Sequence, residues 1–578
     1  RRWRLEMNTP RHLAPGGSAR QQGTRAAERG TSLARASSER MRWWGWGSPE
    51  HPPGLPPHAL AFLREVVGVE GSPRPPVALE HVRIEPSAVA PAVLDALRDM
   101  LGAECVRDDH AERVLHAAGK GYPDLVRLRA GEPRGAPDAV LYPSSREHLR
   151  ALLAACERES LAVVPFGGGT SVVGGVEPLR GEHRAVVALD MGRMSSVLSF
   201  DEQSRLVCIE AGARARELES WLASRGLTLG HFPQSFEYVS LGGCAATRSA
   251  GQASTGYGRF ERMVAGLSMV APAGTVELAA VPASAAGPGV REIVVGSEGT
   301  LGVIDQLCLR VRPTPVEQVY EGVFFESFEA GVNAFRELAQ AGCAPDVARL
   351  SDEAETRMSL ALAGSGGAKG RLGRAYLGVR GYAGGCLAIL GFEGTPKQVG
   401  ARRAGAIEIV RAAGGLRVGR SPGKAWFASR FNAPYLRDEL LTHGAIVETL
   451  ETATRWSNLA ALHARVSDAI EGALRACGTP GLAMCHVSHL YETGASLYFT
   501  FLAAQQRGDE VAQWRAVKTA ASEAILDGGG TITHHHAVGR DHAPWMAREI
   551  GDAGVRALRA LKAELDPAGI MNPGKLLP

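Results

Sequence analysis

The sequence predicts an α+β protein of two main domains behind a mostly helical lead-in. Three observations carry that expectation. At 578 residues the chain is too long for one ordinary domain. From residue 136 onward, short apolar runs alternate with amphipathic stretches around glycine turns, as in a ligand-binding domain of strands and helices. That pattern ends near Arg312 and Pro313 and restarts with the strand-like VYEGVFF at residue 319, so a second domain follows.

In chain order, residues 1–40 are rich in Arg, Ser, Gly and Ala and read as a disordered tail, or as translated sequence upstream of a start at Met41. Residues 41–135 open with MRWWGWG and continue with helical patterns near 58–68 and 87–103. The ligand-binding domain is placed at 136–315. Within it Ala139–Tyr142 is strand-like, and residues 146–160 form a helix with Leu149, Leu152, Leu153 and Cys156 on one face. LAVVPF at 161–166 is a strand that runs straight into glycine. Further strands are expected at 185–190, 196–200 and 206–210, and a helix at 215–225. The second domain, 316–515, has a helix after VYEGVFF, another at 457–475 and a buried strand at 495–501. Its Gly-rich interruptions at 364–374 and 380–400 are candidate mobile gates. Residues 516–578 form a C-terminal region.

Hydrophobic residues make up 45% of the chain and charged residues 22%, enough apolar matter for large cores. No run of 18 apolar residues occurs, which excludes a spanning helix. The formal charge of +3 is uneven: residues 1–40 hold nine Arg against three Glu and leave a net −3 for the rest. The body therefore offers no basic surplus for nucleic acid. The nine Cys, an odd number without a CxxC pair, argue against a disulfide framework or zinc knuckle and for a reducing compartment.

The sharpest motif is PFGGGTSVVGG at 165–175. Three consecutive Gly after a strand let several backbone N–H groups point at one anion, a nest for phosphate or pyrophosphate. There is no GK[ST], so it is not a Walker loop, and Val172 breaks the Rossmann fingerprint. Alone, the loop is equally well read as a tight turn. HFPQSFEYVSLGGCAATRSAG (231–251) and VVGSEGTLGVI (294–304) add small residues and hydroxyls. Three such segments in one domain suggest one long ligand with a pyrophosphate and a ring system. HHHAVGRDH (534–542) lacks the spacing and Cys neighbours of a zinc site, so no metal is expected; its imidazoles suit anion binding or proton movement. Arg437 and Tyr498 are not singled out by spacing.

Together these segments resemble the vanillyl-alcohol oxidase type of flavoprotein, in which FAD lies between an FAD domain and a substrate cap. The GGGTS loop, the SEGTLGV segment and the terminal LDPAGIMNPGK carry that likeness. A closer resemblance, to the alkyldihydroxyacetonephosphate synthase family, runs from Met41 to nearly the end. It rests on MRWWGWG, PFGGGTSV, PQSFEYVSLGG, TRSAG, GSEGTLGV, RLSDE, YLRDELL, ASLYFTF and, most discriminating, HHHAVG. Gln234 and His486 depart from animal members, which have Asp and Arg there, and no peroxisomal targeting segment is recognisable.

The resemblance implies a PCMH-type, two-domain FAD fold with a cap; FAD is expected to be held without a covalent bond, because the loop at 165–171 has no His or Cys and no other attachment motif is recognisable. It implies FAD contacts from Pro165, Phe166, Gly167, Gly168, Gly169, Thr170 and Ser171, and from Pro233, Gln234, Ser235, Phe236, Glu237, Tyr238 and Val239. Thr247, Arg248, Ser249 and Ala250, and then Ser297, Glu298, Gly299, Thr300, Leu301, Gly302 and Val303, complete that set. Tyr498 is implied as the residue that exchanges a proton with substrate, Arg437 as substrate-binding, and Arg349, His534, His535 and His536 as needed for activity. For Tyr498 to act, its pKa is expected to be lowered by cationic neighbours, the histidines or an Arg. The implied reaction exchanges the acyl chain of acyl-dihydroxyacetone phosphate for a long-chain alcohol, without net redox change. The partners are those substrates and a peripheral membrane surface reached through an apolar tunnel mouth; no nucleic acid is expected, and a homodimer is left open. The chain is expected in the cytoplasm, with the inner membrane face as an option. The alternative enzyme is an FAD-linked 2-hydroxyacid dehydrogenase or oxidase, and a non-catalytic flavin- or lipid-binding protein is a third class.

Overall fold

Short apolar runs build the sheet that carries the glycine loop. The computed structural model describes residues 31–33, 40–48, 61, 64–69, 73–362 and 368–578. An edge strand, β1 (Thr31–Ser32), comes first, then a lead-in with helices α1 (Pro91–Leu101) and α2 (Tyr122–Ala130). β2 (Val106–Arg107), β3 (Ala139–Leu141), β4 (Leu161–Phe166) and β5 (Ala185–Asp190) form a four-stranded sheet in the order β2-β3-β5-β4, with β3 and β4 parallel to β5. Helix α3 (Arg146–Glu159) starts where the Ser145 hydroxyl accepts from the His148 N–H, and it buries Leu149, Leu152, Leu153 and Cys156. The lead-in is not a separate unit, because its β2 pairs with β3.

β6 (Ser196–Asp201), β7 (Leu206–Glu210), β9 (Val264–Ala271), β10 (Gly274–Leu278) and β11 (Val303–Arg310) form a second sheet, ordered β1-β6-β7-β11-β9-β10. α4 (Ala215–Ala223) and α5 (Leu241–Ala246) pack on it, while β8 (Leu227–Thr228) pairs with β12 (Arg312–Pro313). Two expectations fail here. Residues 31–33 are not tail: β1 pairs with β6 and Leu33 enters the core, so edge pairing and apolar burial offset the ordering of this piece. Arg40 also forms an ion pair with Glu112; residues 1–30 and 34–39 lie outside the described residues. The cysteines are not all free either. Cys208 and Cys308 face each other directly in the β7–β11 ladder and are joined as a disulfide, a pairing that a separation of 100 residues hides from the sequence.

The second domain is a seven-stranded antiparallel sheet of β13 (Glu317–Phe325), β14 (Val347–Ser351), β15 (Cys386–Gly394), β16 (Leu416–Gly419), β17 (Ala445–Arg455), β18 (Leu482–Leu490) and β19 (Gly494–Ala504). Its order is β16-β13-β15-β14-β18-β19-β17. α6 (Phe328–Gln340), α9 (Pro396–Ala412), α11 (Leu459–Ala476) and α12 (Glu510–Asp527) cover one face and share its core, so 516–527 belongs with this domain and not with the C-terminal region. α7 (Glu353–Leu362), α8 (Ala368–Val379) and α10 (Ala433–Thr442) lie elsewhere around the sheet. The expected gate at 380–400 is instead β15 and the start of α9, with β15 paired on both sides. Its glycine has a packing reason: a Cβ at Gly391 would run into the Tyr320 ring. After α13 (Met546–Leu565), broken at Gly551, the chain returns to β4. There Val163 N donates to Ile570 O and Asn572 N donates to Val163 O, each at 2.8 Å.

Candidate active site

Alternation along β19 decides what faces the site. Leu497 and Phe499 point into the core under the helices, so Tyr498 points to the other face. Across the ladder Tyr498 is directly opposite Glu451 of β17 on one side and His486 of β18 on the other. His486 in turn is opposite Ser351 of β14, two residues from Arg349, so Glu451, Tyr498, His486 and Arg349 share one face. The Tyr498 ring stacks on His486 at 4.9 Å and on His535 at 5.9 Å, with His536 edge-on at 5.5 Å. Arg349 Nη1 is 3.0 Å from His486 Nε2, and its Nη2 donates to Glu355 Oε1 at 2.6 Å. Tyr498, Arg349 and the three histidines are thus brought together.

Glu451 holds the histidine segment in place. Its buried carboxylate accepts from the Thr533 hydroxyl at 2.6 Å, the His536 N–H at 2.7 Å and the His534 N–H. It also lies 3.7 Å from Nδ1 of both His535 and His536. Burial alone would push this carboxyl up, but its attraction for His535, His536 and His534 whenever one of them carries a proton, together with the Thr533 hydroxyl, holds it well below the usual carboxylate range. Burial pushes the imidazoles down, His535 to about 3 and His536 to about 4, against the pull of Glu451. His534 and His489 are also held well below the ordinary histidine value by burial. The histidines are therefore uncharged at neutral pH, which overturns the expectation of a cationic cluster. Tyr498 follows suit: burial pushes it up to about 12, and Arg349 pulls the other way only weakly.

His489, His534 and His535 offer ligand atoms within 4.8 Å of one another, a grouping not foreseen because His489 lies on β18. His534 spends both ring nitrogens elsewhere, Nε2 on the Tyr491 hydroxyl at 2.6 Å and Nδ1 on His535 at 2.9 Å. Glu451, His489 and Glu355 carry no sequence signal beyond being polar residues in apolar strands or beside them.

The glycine segments converge on one another. A Cβ at Gly167 would collide with the Ser240 hydroxyl and one at Gly168 with Tyr238 O, while Gly169 sits at φ +66°. Gly299, at φ +73°, packs on Pro165. Glu298 N donates to Ala246 O at 3.0 Å, and the Glu298 carboxylate accepts from Val538 N at 2.8 Å and Gly539 N at 2.7 Å. This ties the histidine segment to the glycine loop. Asn572 Nδ2 donates to Glu298 O at 2.7 Å and closes the C-terminal end over the same place.

A flavin dinucleotide fits what this cradle leaves open. The amides of Gly168, Gly169, Thr170 and Ser171 meet no acceptor among the described residues, the arrangement a pyrophosphate needs. Ser297 Oγ and His231 Nδ1 are buried without a hydrogen-bond partner among the described residues. Other expected contacts face elsewhere. The Gln234 amide donates to Arg430 O, Glu237 accepts from the Tyr435 hydroxyl and Phe236 stacks on Phe431, so these side chains clasp the second domain. Arg248 folds away to donate to Val295 O and Glu292 O.

Arg437, on α10, is placed beside the glycine loop and not in the Tyr498 row. Its Nη1 donates to Lys120 O at 2.7 Å, and Lys120 N donates to Ser171 O at 2.6 Å. Lys120 Nζ donates to Arg42 O and Trp43 O, Asp438 accepts from Trp46 N, and Trp46 packs edge-on against Tyr238. The MRWWGWG segment is thus a strap across the two domains.

Comparisons with known proteins agree with this geometry. Residues 137–279 match the family described as FAD binding domain, and residues 314–576 match FAD linked oxidases, C-terminal domain. The chain is 32% identical over 573 residues to the alkyldihydroxyacetonephosphate synthase of Dictyostelium discoideum, covering 93% of this chain and 94% of that one. It is 33% identical to the Trypanosoma brucei brucei enzyme of the same name, covering 93% of each. A solved alkyldihydroxyacetonephosphate synthase structure superposes with a TM-score of 0.80 at 30% identity, covering 93% of this chain and 99% of that one.

Proposed function

The chain belongs to the alkyldihydroxyacetonephosphate synthase family, and on that premise we propose that it exchanges the acyl chain of acyl-dihydroxyacetone phosphate for a long-chain alcohol. FAD is its cofactor. The observation that carries the reading is the row Glu451–Tyr498–His486 set face to face with His535 and His536, beside a phosphate-ready glycine cradle. Gly168–Ser171 would hold the pyrophosphate. Bound FAD supplies a redox-active ring able to exchange electron pairs with the substrate carbon and to recover them within one turnover.

The protein's own part is proton handling and placement. With its pKa near 12, Tyr498 is protonated at rest and is not a standing base. It works as a relay: the phenol oxygen takes the C1 proton of the substrate while its own proton passes to a neutral imidazole, His535 or His536. Glu451, 3.7 Å from both Nδ1 atoms, stabilises the imidazolium that forms. The steps reverse when the alcohol has replaced the acyl chain, so the C1 proton is returned, while the alcohol's hydroxyl proton is released as the acyl chain leaves as carboxylate. Arg437 suits the substrate phosphate and Arg349 the departing carboxylate.

The substrates carry long apolar chains, so the enzyme works at a membrane surface, as a peripheral protein on the inner membrane face. No helix among the described residues is long and apolar enough to cross a membrane. The test is direct. Holoprotein given palmitoyl-dihydroxyacetone phosphate and hexadecanol should release palmitate and form the ether, without consuming an electron acceptor. Oxidation of D-lactate or glycolate with an acceptor, and no ether, would move the chain to the dehydrogenase reading.

A further inference from the structure

Asp352, between β14 and α7, fixes two backbones at once. Its Oδ1 accepts from Glu355 N at 2.7 Å, and its Oδ2 accepts from Cys485 N at 2.8 Å and lies 3.2 Å from His463 Nε2. One side chain thus sets where Glu355 stands and where β18 delivers the next residue, His486. The buried His486 ring lies between two charged groups: its Nε2 is 3.0 Å from Arg349 Nη1, and its Nδ1 is 3.1 Å from Glu355 Oε1. Arg349 Nη2 closes the circuit on the same Glu355 oxygen at 2.6 Å.

Donor and acceptor rules leave one arrangement. A guanidinium has N–H donors and no acceptor, so His486 Nε2 is the accepting lone pair. The ring proton is then on Nδ1 and is donated to the Glu355 carboxylate. Burial works against the charge of Glu355, yet Arg349 beside it and hydrogen bonds from His486 and Ser351 hold the carboxyl down at about 2. A second proton on His486 would set N–H against N–H at Arg349. Burial and Arg349 accordingly keep His486 below the ordinary histidine value, against the pull of Glu355.

The consequence falls on Tyr498. Its ring stacks on His486 with centroids 4.9 Å apart and planes 24° apart. The other groups facing the phenol are the uncharged His535 and His536 and the carboxylates Glu451 and Glu448. The cation of the row, Arg349, has both Nη atoms engaged by His486 and Glu355. A cation in place of the imidazole would lie against the phenol ring and favour its ionised form, whereas a neutral ring does not.

We propose that His486 is a positioning residue for the proton relay: Arg349 and Glu355 lock it as a neutral imidazole, protonated on Nδ1, and in that state it keeps the stacked Tyr498 a phenol. The proposal deepens the reading above and rests on it for the role of Tyr498.

Nuclear magnetic resonance of the holoprotein, isotope-labelled at the histidine nitrogens and at tyrosine Cζ, tests both halves without substrate. His486→Gln and Tyr498→Phe assign the signals. In wild type His486 should show a protonated Nδ1 and a bare Nε2 from about pH 6 to 9, with Tyr498 a phenol throughout. His486→Arg should show Tyr498 phenolate by about pH 10, where wild type shows none; one charge about 5 Å away at the effective dielectric of a protein site lowers the ionisation by about two pH units. His486→Gln, whose amide accepts from Arg349 and donates to Glu355 as the imidazole does, should leave the Tyr498 titration where it was. An imidazolium, or a ring protonated on Nε2, in wild type overturns the proposal, and this result does not depend on the Arg variant folding. So does a folded Arg variant without phenolate at that pH, or a Gln variant with it. Ether formation separates the proposal from the function it rests on. A kcat that is flat in pH for wild type and the Gln variant but rises with pH for the Arg variant supports the lock. The expected spectra in a protein that forms no ether leave the lock standing and remove the synthase reading.

Discussion

Tyr498→Phe removes one oxygen and little else. The ring keeps its stacking on His486 and His535, and the core beneath it, Leu497 and Phe499, is untouched. The hydroxyl's hydrogen bond with Thr449 is lost, a cost of about 1 kcal/mol, so folding and flavin content should survive. Loss of the proton relay should slow ether formation by at least ~100-fold, or about 3 kcal/mol in the barrier. The assay is hexadecyl ether formed from palmitoyl-dihydroxyacetone phosphate and hexadecanol by protein of matched flavin content. The pH profile tests the relay itself. Because Tyr498 is pushed up to about 12 and His535 and His536 down to about 3 and 4, no group of the relay titrates near neutrality, and wild-type kcat should be flat between those limits. A rate that climbs tenfold per pH unit would show that the phenolate is the working base and would refute the relay. Near-normal turnover by the Phe variant would remove Tyr498 from the chemistry altogether.

Four further outcomes are expected. His535→Ala should cut ether formation ~100-fold with flavin still bound, read as kcat against flavin absorbance, because this imidazole receives the proton and does not hold FAD. Glu451→Gln should slow the reaction ~10- to 100-fold through a lower kcat at little-changed KM; an unaltered kcat would show that the carboxylate only holds the loop. A chain beginning at Met41 should melt below one beginning at Thr31, since it loses β1, the buried Leu33 and the Arg40–Glu112 pair, about 2 kcal/mol for the leucine alone; equal Tm would mean that the edge strand contributes nothing. Acid precipitation should leave the flavin in the supernatant, because the 165–171 loop has no His or Cys, and the nearby His116 has both nitrogens engaged by Glu112 O and Asp190; a yellow pellet would contradict this.

What the sequence made legible was local. The period of α3 and the apolar run of β4 are complete within a dozen residues, so they are readable without a partner. β1 and β2 are two-residue strands, too short to show alternation, and exist only because β6 and β3 offer an edge. The glycines of β15 looked like a loop, because a glycine demanded by a neighbour's ring is indistinguishable in sequence from one demanded by a turn. The cradle was legible for the opposite reason: Gly167–Gly169 are constrained by close backbone approach and a positive φ, which only that residue meets cheaply. Glu451 and the Cys208–Cys308 pair were hidden, since each acquires its meaning from strand register across tens of residues.

The charge pattern of the site explains why its histidines are neutral. A cationic trio would hold Tyr498 as phenolate, but it would also hold any anion that came near, including the carboxylate that must leave. Burial keeps the imidazoles empty instead, and Glu451 makes each a better acceptor at the moment a proton arrives. Arg349 shares its charge with Glu355, as Arg437 shares its own with Asp438 at 3.8 Å, and stands where the carboxylate leaves, so it is not the anchor for the phosphate. That task falls to a different place. Arg437 lies beside Lys120 and the glycine loop, with a buried Nε that meets no acceptor among the described residues. Separating the phosphate anchor from the proton relay keeps the strongest charge on the substrate away from the phenol, where it would push the Tyr498 proton tighter still.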